Sequence, residues 1–426
     1  MKPLFSCGLL LAVTLLTCTF VLGQSQEKVL YSFGTNLNDG STPNDGLIFD
    51  GAGNIYGTTQ NGGLAEGGTV FELMPQQDGT WDETVLYTFC TLPSCADGLE
   101  PRAGLISDNA GNLYGITLAG GKYTGGTCRS AGCGTVFELS PPQQGTSLWT
   151  ETVLWNFKGN LNGDGAQPYG RLTWDAAQKN IYGTTLNGGS ELSLGTIFEL
   201  SPGSSGEWNE SVLYAFCPNG PPCADGAFPN AGLSLDAGSG ILFGTTVQGG
   251  FRGQWGVVYE LSQNAGGGWI ETPIHTFTPQ SGGNPFSEVS IDKNGNLYGT
   301  VSTGSGLAQC GGAWRLMPQM GGIFKASNIL FSQSGTSGCN PVAGVLLSPL
   351  EDSGFGTTPT GGASNKGTAF NITGAKENAI YNFCSESDCA DGSNPSGSVT
   401  QHGRAGYGTT LNGGTFNQGT VYEITP

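Results

Sequence analysis

The chain has 426 residues, a net charge of −18 and a pI near 4.3, with only 15 Lys and Arg. Phosphate binding needs clustered cations, so this balance argues against a nucleic-acid partner and against an anionic membrane surface. Glycine is abundant, at 74 residues, and charged residues make up only 11%. The glycines nevertheless sit between short runs rich in Val, Ile, Leu, Tyr, Phe and Thr, which writes many short β-strands rather than disorder.

Residues 1–23 read as a secretory signal peptide: Lys2, an apolar run from Leu9 to Val21, and a cleavage region at Val21-Leu22-Gly23 before Gln24. Thr17 stands before Cys18 where a lipid-attachment site would place a small Gly, Ala or Ser, so lipidation is set aside. No later stretch is apolar for long enough to span a bilayer as a helix. Residues 24–426 are therefore expected to form one mature domain, secreted or periplasmic, and monomeric.

The mature chain opens on Val29-Leu30-Tyr31-Ser32-Phe33, followed by a loop ending at Pro43 and a strand Leu47-Ile48-Phe49-Asp50. Next come Gly53-Asn54-Ile55-Tyr56-Gly57-Thr58-Thr59, a Gly62-Gly63 turn, and Gly68-Thr69-Val70-Phe71-Glu72-Leu73. This unit recurs around Tyr114, Tyr182, Phe243, Tyr298, Phe355 and Tyr407, giving seven copies at a spacing of 52 to 68 residues. Four short strands repeated seven times describe an all-β, seven-bladed β-propeller of antiparallel blades. The Leu47-type strand is A, nearest the axis; the Tyr56-, Val70- and Val85-type strands are B, C and D. Because the chain starts with a D strand and ends with A, B and C, the N-terminal strand is expected to join the C-terminal blade and close the ring. Closure removes exposed sheet edges. Pro273 falls in a D strand, the outer edge, where a missing N–H is tolerated. Trp81, Trp149, Trp208, Trp269 and Phe324 precede the D strands and read as packing plugs at the blade's outer corner.

The pattern of Gly111-Asn112-Leu113-Tyr114-Gly115-Ile116-Thr117 followed by Gly134-Thr135-Val136-Phe137-Glu138-Leu139 resembles the GloVer tandem repeat across essentially the whole mature chain. That resemblance implies an exported bacterial protein of undefined activity and brings no catalytic residues with it. Members of that group carry varied surface anchors. Here the chain ends at Pro426 directly after its last strand, which leaves attachment to the cell in doubt.

Of 12 cysteines, Cys7 and Cys18 lie in the signal segment. Cys90 with Cys95, Cys217 with Cys223 and Cys384 with Cys389 each open after a D strand and close before Ala-Asp-Gly. Cys128 with Cys133 lies in a B-to-C loop, which leaves Cys310 and Cys339 as the fifth pair. Export favours disulfides, and two histidines are too few to suggest zinc. D-to-A and B-to-C loops emerge on one face of a propeller, so all five bridges would stiffen that face, where function usually resides.

The D-to-A loops carry Asp-Gly ahead of a proline at Asp39, Asp97, Asp164, Asp225 and Asp391; the remaining units keep only Pro285 and Pro341. If the five carboxylates ringed the channel mouth they would suit calcium. The competing reading is a turn in which each carboxylate caps backbone N–H groups. Glu72, Glu138, Glu199, Glu260 and Glu423 repeat on strand C and suit the scaffold better than acid/base catalysis, which needs two carboxylates in unlike surroundings. His275 and His402 have no triad-like neighbourhood. The residues that the repeat does not demand, Trp255, Arg252, Tyr123 and Arg129 on B-to-C loops, are the candidate ligand contacts. Together these features read as a binding or scaffold module for an extracellular glycan or a cell-surface protein. A polysaccharide hydrolase or lyase and a purely structural envelope protein are the alternatives.

Overall fold

A computed structural model describes residues 26–425 apart from 129, 144, 146, 161–162, 305–308, 333–335, 348–352 and 374–375. The signal segment and Arg129 thus lie outside the described residues. The chain forms seven antiparallel sheets arranged as the blades of a propeller. In blade 1 the order from the axis outward is A (Gly40–Pro43 and Ile48–Phe49), B (Ile55–Gly62), C (Thr69–Pro75) and D (Trp81–Thr88). The ring closes as expected: Gln26–Ser32 pairs antiparallel with Thr420–Thr425, with Gln26 opposite Thr425 and Lys28 opposite Glu423.

Strand A departs from the expectation of one continuous Leu47–Asp50 strand. Its outer half comes from the Asp-Gly segment, with Gly40 opposite Gly62 and Pro43 opposite Thr59, and its inner half is only Ile48–Phe49. Blades 2 and 3 repeat the division with Leu99–Pro101 and Ile106–Ser107, and with Gly165–Pro168 and Thr173–Trp174. The break has a local cause. In all seven units the residue before the repeat proline is a non-glycine at positive φ: Thr42, Glu100, Gln167, Phe228, Asn284, Asn340 and Asn394, between 54° and 60°. Such residues are uncommon in that region, and they turn the chain inward. Each donates its backbone N–H to a neighbouring B-to-C loop, as in Thr42 to Gln418 O at 2.8 Å and Gln167 to Cys133 O at 2.7 Å. The strained turn is thereby fixed by the adjoining blade.

The core lies between blades rather than within them. At six D-strand ends a phenylalanine, Phe33, Phe89, Phe157, Phe216, Phe277 or Phe383, meets the strand-C aromatic of the next blade, as in Phe33 with Phe71 at 5.1 Å, Phe89 with Phe137 at 4.9 Å and Phe383 with Tyr422 at 5.0 Å. The glycine of the Tyr-Gly-Thr repeat makes room for that ring. A Cβ on Gly183 would lie 2.4 Å from Phe198 Cζ, closer than van der Waals contact permits. The first threonine of the repeat then reaches across to the next blade, with Thr58 Oγ1 donating to Ala103 O at 3.0 Å and Thr184 Oγ1 to Ala231 O at 2.9 Å. The pre-D aromatics pack as plugs, though against the neighbouring blade: Trp149 on Tyr56 at 6.4 Å and Trp269 on Tyr182 at 6.0 Å.

Candidate functional site

The D-to-A and B-to-C loops share one face, joined by bonds such as Gly63 N to Asp39 O and Gly121 N to Cys95 O. All five disulfides form as expected, Cys90–Cys95, Cys128–Cys133, Cys217–Cys223, Cys310–Cys339 and Cys384–Cys389.

The five aspartates of the Asp-Gly loops are each taken up by their own loop. Asp39 Oδ2 accepts from Gly34 N at 2.7 Å, Thr35 N at 2.9 Å and Tyr31 Oη at 3.0 Å. Asp97 and Asp391 repeat the arrangement with Thr91 N and Tyr87, and with Ser385 N and Tyr381. Asp225 accepts from Cys217 N and Tyr214, and Asp164 from Lys158 N and Gly165 N. Among the described residues no group of three His, Cys, Asp or Glu side chains is brought together as a metal would need. Strand-C glutamates are taken up too: Tyr56 Oη donates to Glu72 at 2.8 Å and Ser140 Oγ to Glu138 at 2.9 Å. His275 packs edge-on to Phe277 at 4.8 Å and His402 stacks on Phe49 at 4.3 Å.

Of the loop candidates, Trp255 is half-buried and packs against the core between blades 4 and 5, its indole lying where a Cβ on Gly283 of the next blade would clash with it. Arg252 is exposed, with its guanidinium 5.2 Å from the Phe251 ring. Tyr123 is half-buried, with Lys122 and Lys158 5.7 and 5.9 Å from its ring. The structure does not unite Trp255 and Arg252 with Tyr123, which belongs to another blade.

What the structure does bring together went unread in the sequence. After each repeat proline comes a tripeptide before the A-strand Leu or Val, and these seven tripeptides line one cavity of about 310 Å³ on the axis. The repeat needs the proline and the apolar residue but leaves the positions between them free. They differ in every blade: Asn44-Asp45-Gly46, Arg102-Ala103-Gly104, Tyr169-Gly170-Arg171, Asn230-Ala231-Gly232, Phe286-Ser287-Glu288, Val342-Ala343-Gly344 and Ser396-Gly397-Ser398. Non-repetition at a fixed place in the repeat is the signal that could have found them.

The cavity wall is charged and aromatic at once. Arg171 Nη2 and Glu288 Oε2 form an ion pair at 3.0 Å, deep in the channel yet still touched by solvent, with side chains 36% and 21% exposed. Burial pushes the Glu288 carboxyl up while Arg171 draws it back down; Glu288 and Asp45 together hold the Arg171 guanidinium charged. Asp45 is positioned by Gly46 N at 2.7 Å and Gly104 N at 2.8 Å. The Arg102 guanidinium lies 4.5 Å from the Tyr169 ring, and its buried Nε finds no acceptor among the described residues. Small residues let these groups approach: a Cβ on Gly232 would stand 2.5 Å from Glu288 Oε1.

The fold and this axial site define a β-propeller with a polar central cavity. By sequence the chain belongs to the Gloeobacter/Verrucomicrobia repeat family, whose model matches residues 17–238 and 128–328. No curated protein matches it by sequence. Among solved structures it is similar to a 6-phosphogluconolactonase-like protein of Bacteroides uniformis, at 14% identity and a TM-score of 0.50, over 78% of this chain and 83% of that one. A second such protein, from Bacteroides fragilis, gives 13% and 0.51 over 84% and 95%. The polysaccharide lyase Uly1 gives 10% and 0.51 over 96% and 94%. At these identities the likeness is one of fold.

Proposed function

We propose that the protein is an exported binding module that holds a sugar residue of an extracellular glycan in its axial cavity. One observation carries this reading: seven tripeptides that occupy one place in the repeat, each with a different set of side chains, meet in a single cavity, where Arg102, Tyr169, Arg171, Glu288 and Asp45 face a common space. A scaffold alone has no need of charged groups on its axis, since burying them costs free energy. The cavity, at about 310 Å³, falls at the lower end of small-molecule sites. Its mixture of carboxylate, guanidinium and amide groups beside two aromatic rings suits a neutral polyhydroxylated ring. The unpartnered Arg102 Nε is a donor left for a ligand oxygen. Trp255, Arg252, Tyr123 and Arg129 remain the proposed outer contacts on the disulfide-bearing face. Export supplies the oxidising compartment in which five disulfides persist.

A second reading is favoured by one feature. Glu288 and Asp45 are carboxylates in unlike surroundings flanking Arg171, an arrangement suited to acid and base roles, which the repeated glutamates lacked. Catalysis on a polysaccharide is therefore the alternative to binding alone, and the fold is shared with a protein described as a polysaccharide lyase.

The test is affinity electrophoresis of the oxidised protein through gels of neutral polysaccharides, with and without Ca²⁺, alongside Arg171→Met and Glu288→Gln variants of confirmed fold. Retardation by one polymer that both variants abolish is the expected result. Unchanged mobility in every gel would refute the glycan reading. Release of new reducing or unsaturated ends from the retarding polymer would move the conclusion to catalysis.

A further inference from the structure

On the outer rim between blades 2 and 3 lies a second cavity, of about 340 Å³, which shares no lining residue with the axial one. It runs beside the D strand of blade 2, Thr150–Asn156, to the start of the D strand of blade 3 at Trp208. Lys122, Tyr123, Trp155, Lys158, Glu207 and Trp208 supply its chemistry.

These residues are departures from the repeat. The B-to-C loop of blade 2 spans 120–134, against 63–68 in blade 1 and 189–195 in blade 3. Lys158 follows the buried Phe157 where the other described units have Gly34, Cys90, Cys217, Thr278 and Cys384. Trp155 stands where they carry Tyr31, Tyr87, Tyr214, His275 and Tyr381. The long loop is also rigidly held. Cys128–Cys133 closes it, Lys122 N donates to Asn156 Oδ1 at 2.8 Å, and Asn160 N to Thr127 Oγ1 at 2.9 Å. Binding here would cost little ordering of the loop.

The charge arrangement is equally particular. In a protein of net charge −18, two ammonium groups gather at one groove. Lys158 Nζ lies 4.4 Å from the Trp155 ring and 5.9 Å from the Tyr123 ring, and Lys122 Nζ is 5.7 Å from Tyr123. Neither forms an ion pair among the described residues, although Asp164 and Glu210 lie near enough to Lys158 to feel its charge. Glu207 is exposed on the blade 3 hairpin that borders the groove.

We infer that this groove is a binding site for a uronic-acid residue of an acidic glycan. The two ammonium groups take the carboxylate, the aromatic rings take the C–H face of the sugar, and Glu207 accepts its hydroxyls. A run of acidic peptide side chains fits less well, because it has neither a C–H face for the rings nor hydroxyls for Glu207. This inference goes beyond the axial site and does not depend on it.

The experiment is calorimetric titration with a galacturonate tetramer, the corresponding neutral galactose tetramer, and a glutamate tetrapeptide. The proteins are the wild type, the Lys122→Gln/Lys158→Gln double variant, and Arg171→Met. The uronate is expected to bind the wild type and Arg171→Met alike, at least tenfold more tightly than the neutral sugar, and at least tenfold more weakly to the double variant. Retained binding by Arg171→Met separates this site from the axial one. Should the double variant fail to fold, raising the salt from about 0.05 to about 0.5 M must weaken uronate binding to the wild type. The inference is overturned by absence of uronate binding, by equal binding of the neutral sugar, by indifference to the lysines or to salt, or by equally tight binding of the glutamate peptide.

Discussion

Glu83 on a D strand has a buried Oε1 with no hydrogen-bond partner among the described residues, and the negative charge of Asp39 acts on it. The same situation recurs at Glu151 beside Asp97, Glu210 beside Asp164, Glu271 beside Asp225 and Glu27 beside Asp391. Burial first, and the aspartate second, push each glutamate to about 8. Other groups facing them are Tyr31, Tyr87, Tyr214 with Tyr259, Lys158, and Glu386 with Tyr381 and Tyr422. The tyrosines are held protonated well above their usual range. The pairing varies within the chain: in blade 5 Ser281 and Ala326 replace both acids, and in blade 6 Ser337 replaces the aspartate and bonds Glu377 at 3.2 Å. Each of these glutamates is thus held as the carboxylic acid at neutral pH. Between about 4.5 and about 8 the folded chain keeps protons that the unfolded chain releases, so this stabilisation is full below 4.5 and is lost as pH rises through 8. Melting temperature should therefore fall from pH 5 to pH 9, and a Glu83→Gln/Glu151→Gln/Glu271→Gln variant should show a flatter slope. A wild-type profile that is level, or that rises, over this range would refute the assignment.

At the scale of the element, the strand B glycine and the strand C ring are one unit. Gly183→Ala should destabilise by about 1–3 kcal/mol by overpacking against Phe198, and a compensating Phe198→Leu should recover part of this in chemical denaturation. The disulfides differ in what they restrain. Four close loops with separations of 5 or 6 residues, whereas Cys310–Cys339 spans 29 and joins loops on two consecutive blades. The chain-entropy relation assigns about 3.5 kcal/mol to the long bridge and about 2 to each short one. The Cys310→Ser/Cys339→Ser variant should accordingly lose more stability than Cys90→Ser/Cys95→Ser, with the same measurement deciding. The elements also show where sequence reading stops. Tyr-Gly-Thr and Gly-Thr-Val-Phe-Glu-Leu announce strands B and C because both faces of these strands are set by neighbours. Strand A is only two or three residues long in its inner half, and its outer half is written as Asp-Gly-x-x-Pro, which reads as a loop. In blades 1 to 3 the left-handed residue before the proline, held by the preceding blade, turns that segment into a strand.

At the scale of the whole molecule, the copy number carried the fold, since seven four-stranded units with a D strand at the start leave one way to close. The axial cavity was hidden by the same reasoning. Attention to what recurs passes over Arg102, Arg171 and Glu288, whose meaning appears only when the ring carries them from distant parts of the chain to one axis. Removing residues 26–33 should leave the strand Thr420–Thr425 as a bare edge. Size-exclusion chromatography should then show self-association beyond that of the intact chain. A monomeric, fully stable deletion variant would show that the seam is dispensable. That seam also has a mechanical sense. Gln26 pairs with Thr425, so the entering and leaving ends of the domain lie side by side at one end of the same two-stranded ladder. Tension between them would peel the hydrogen bonds apart one after another instead of loading them all in shear. A protein tethered by both ends would yield first at its closure and unspool blade by blade, whereas one held by a single end would feel no such pull.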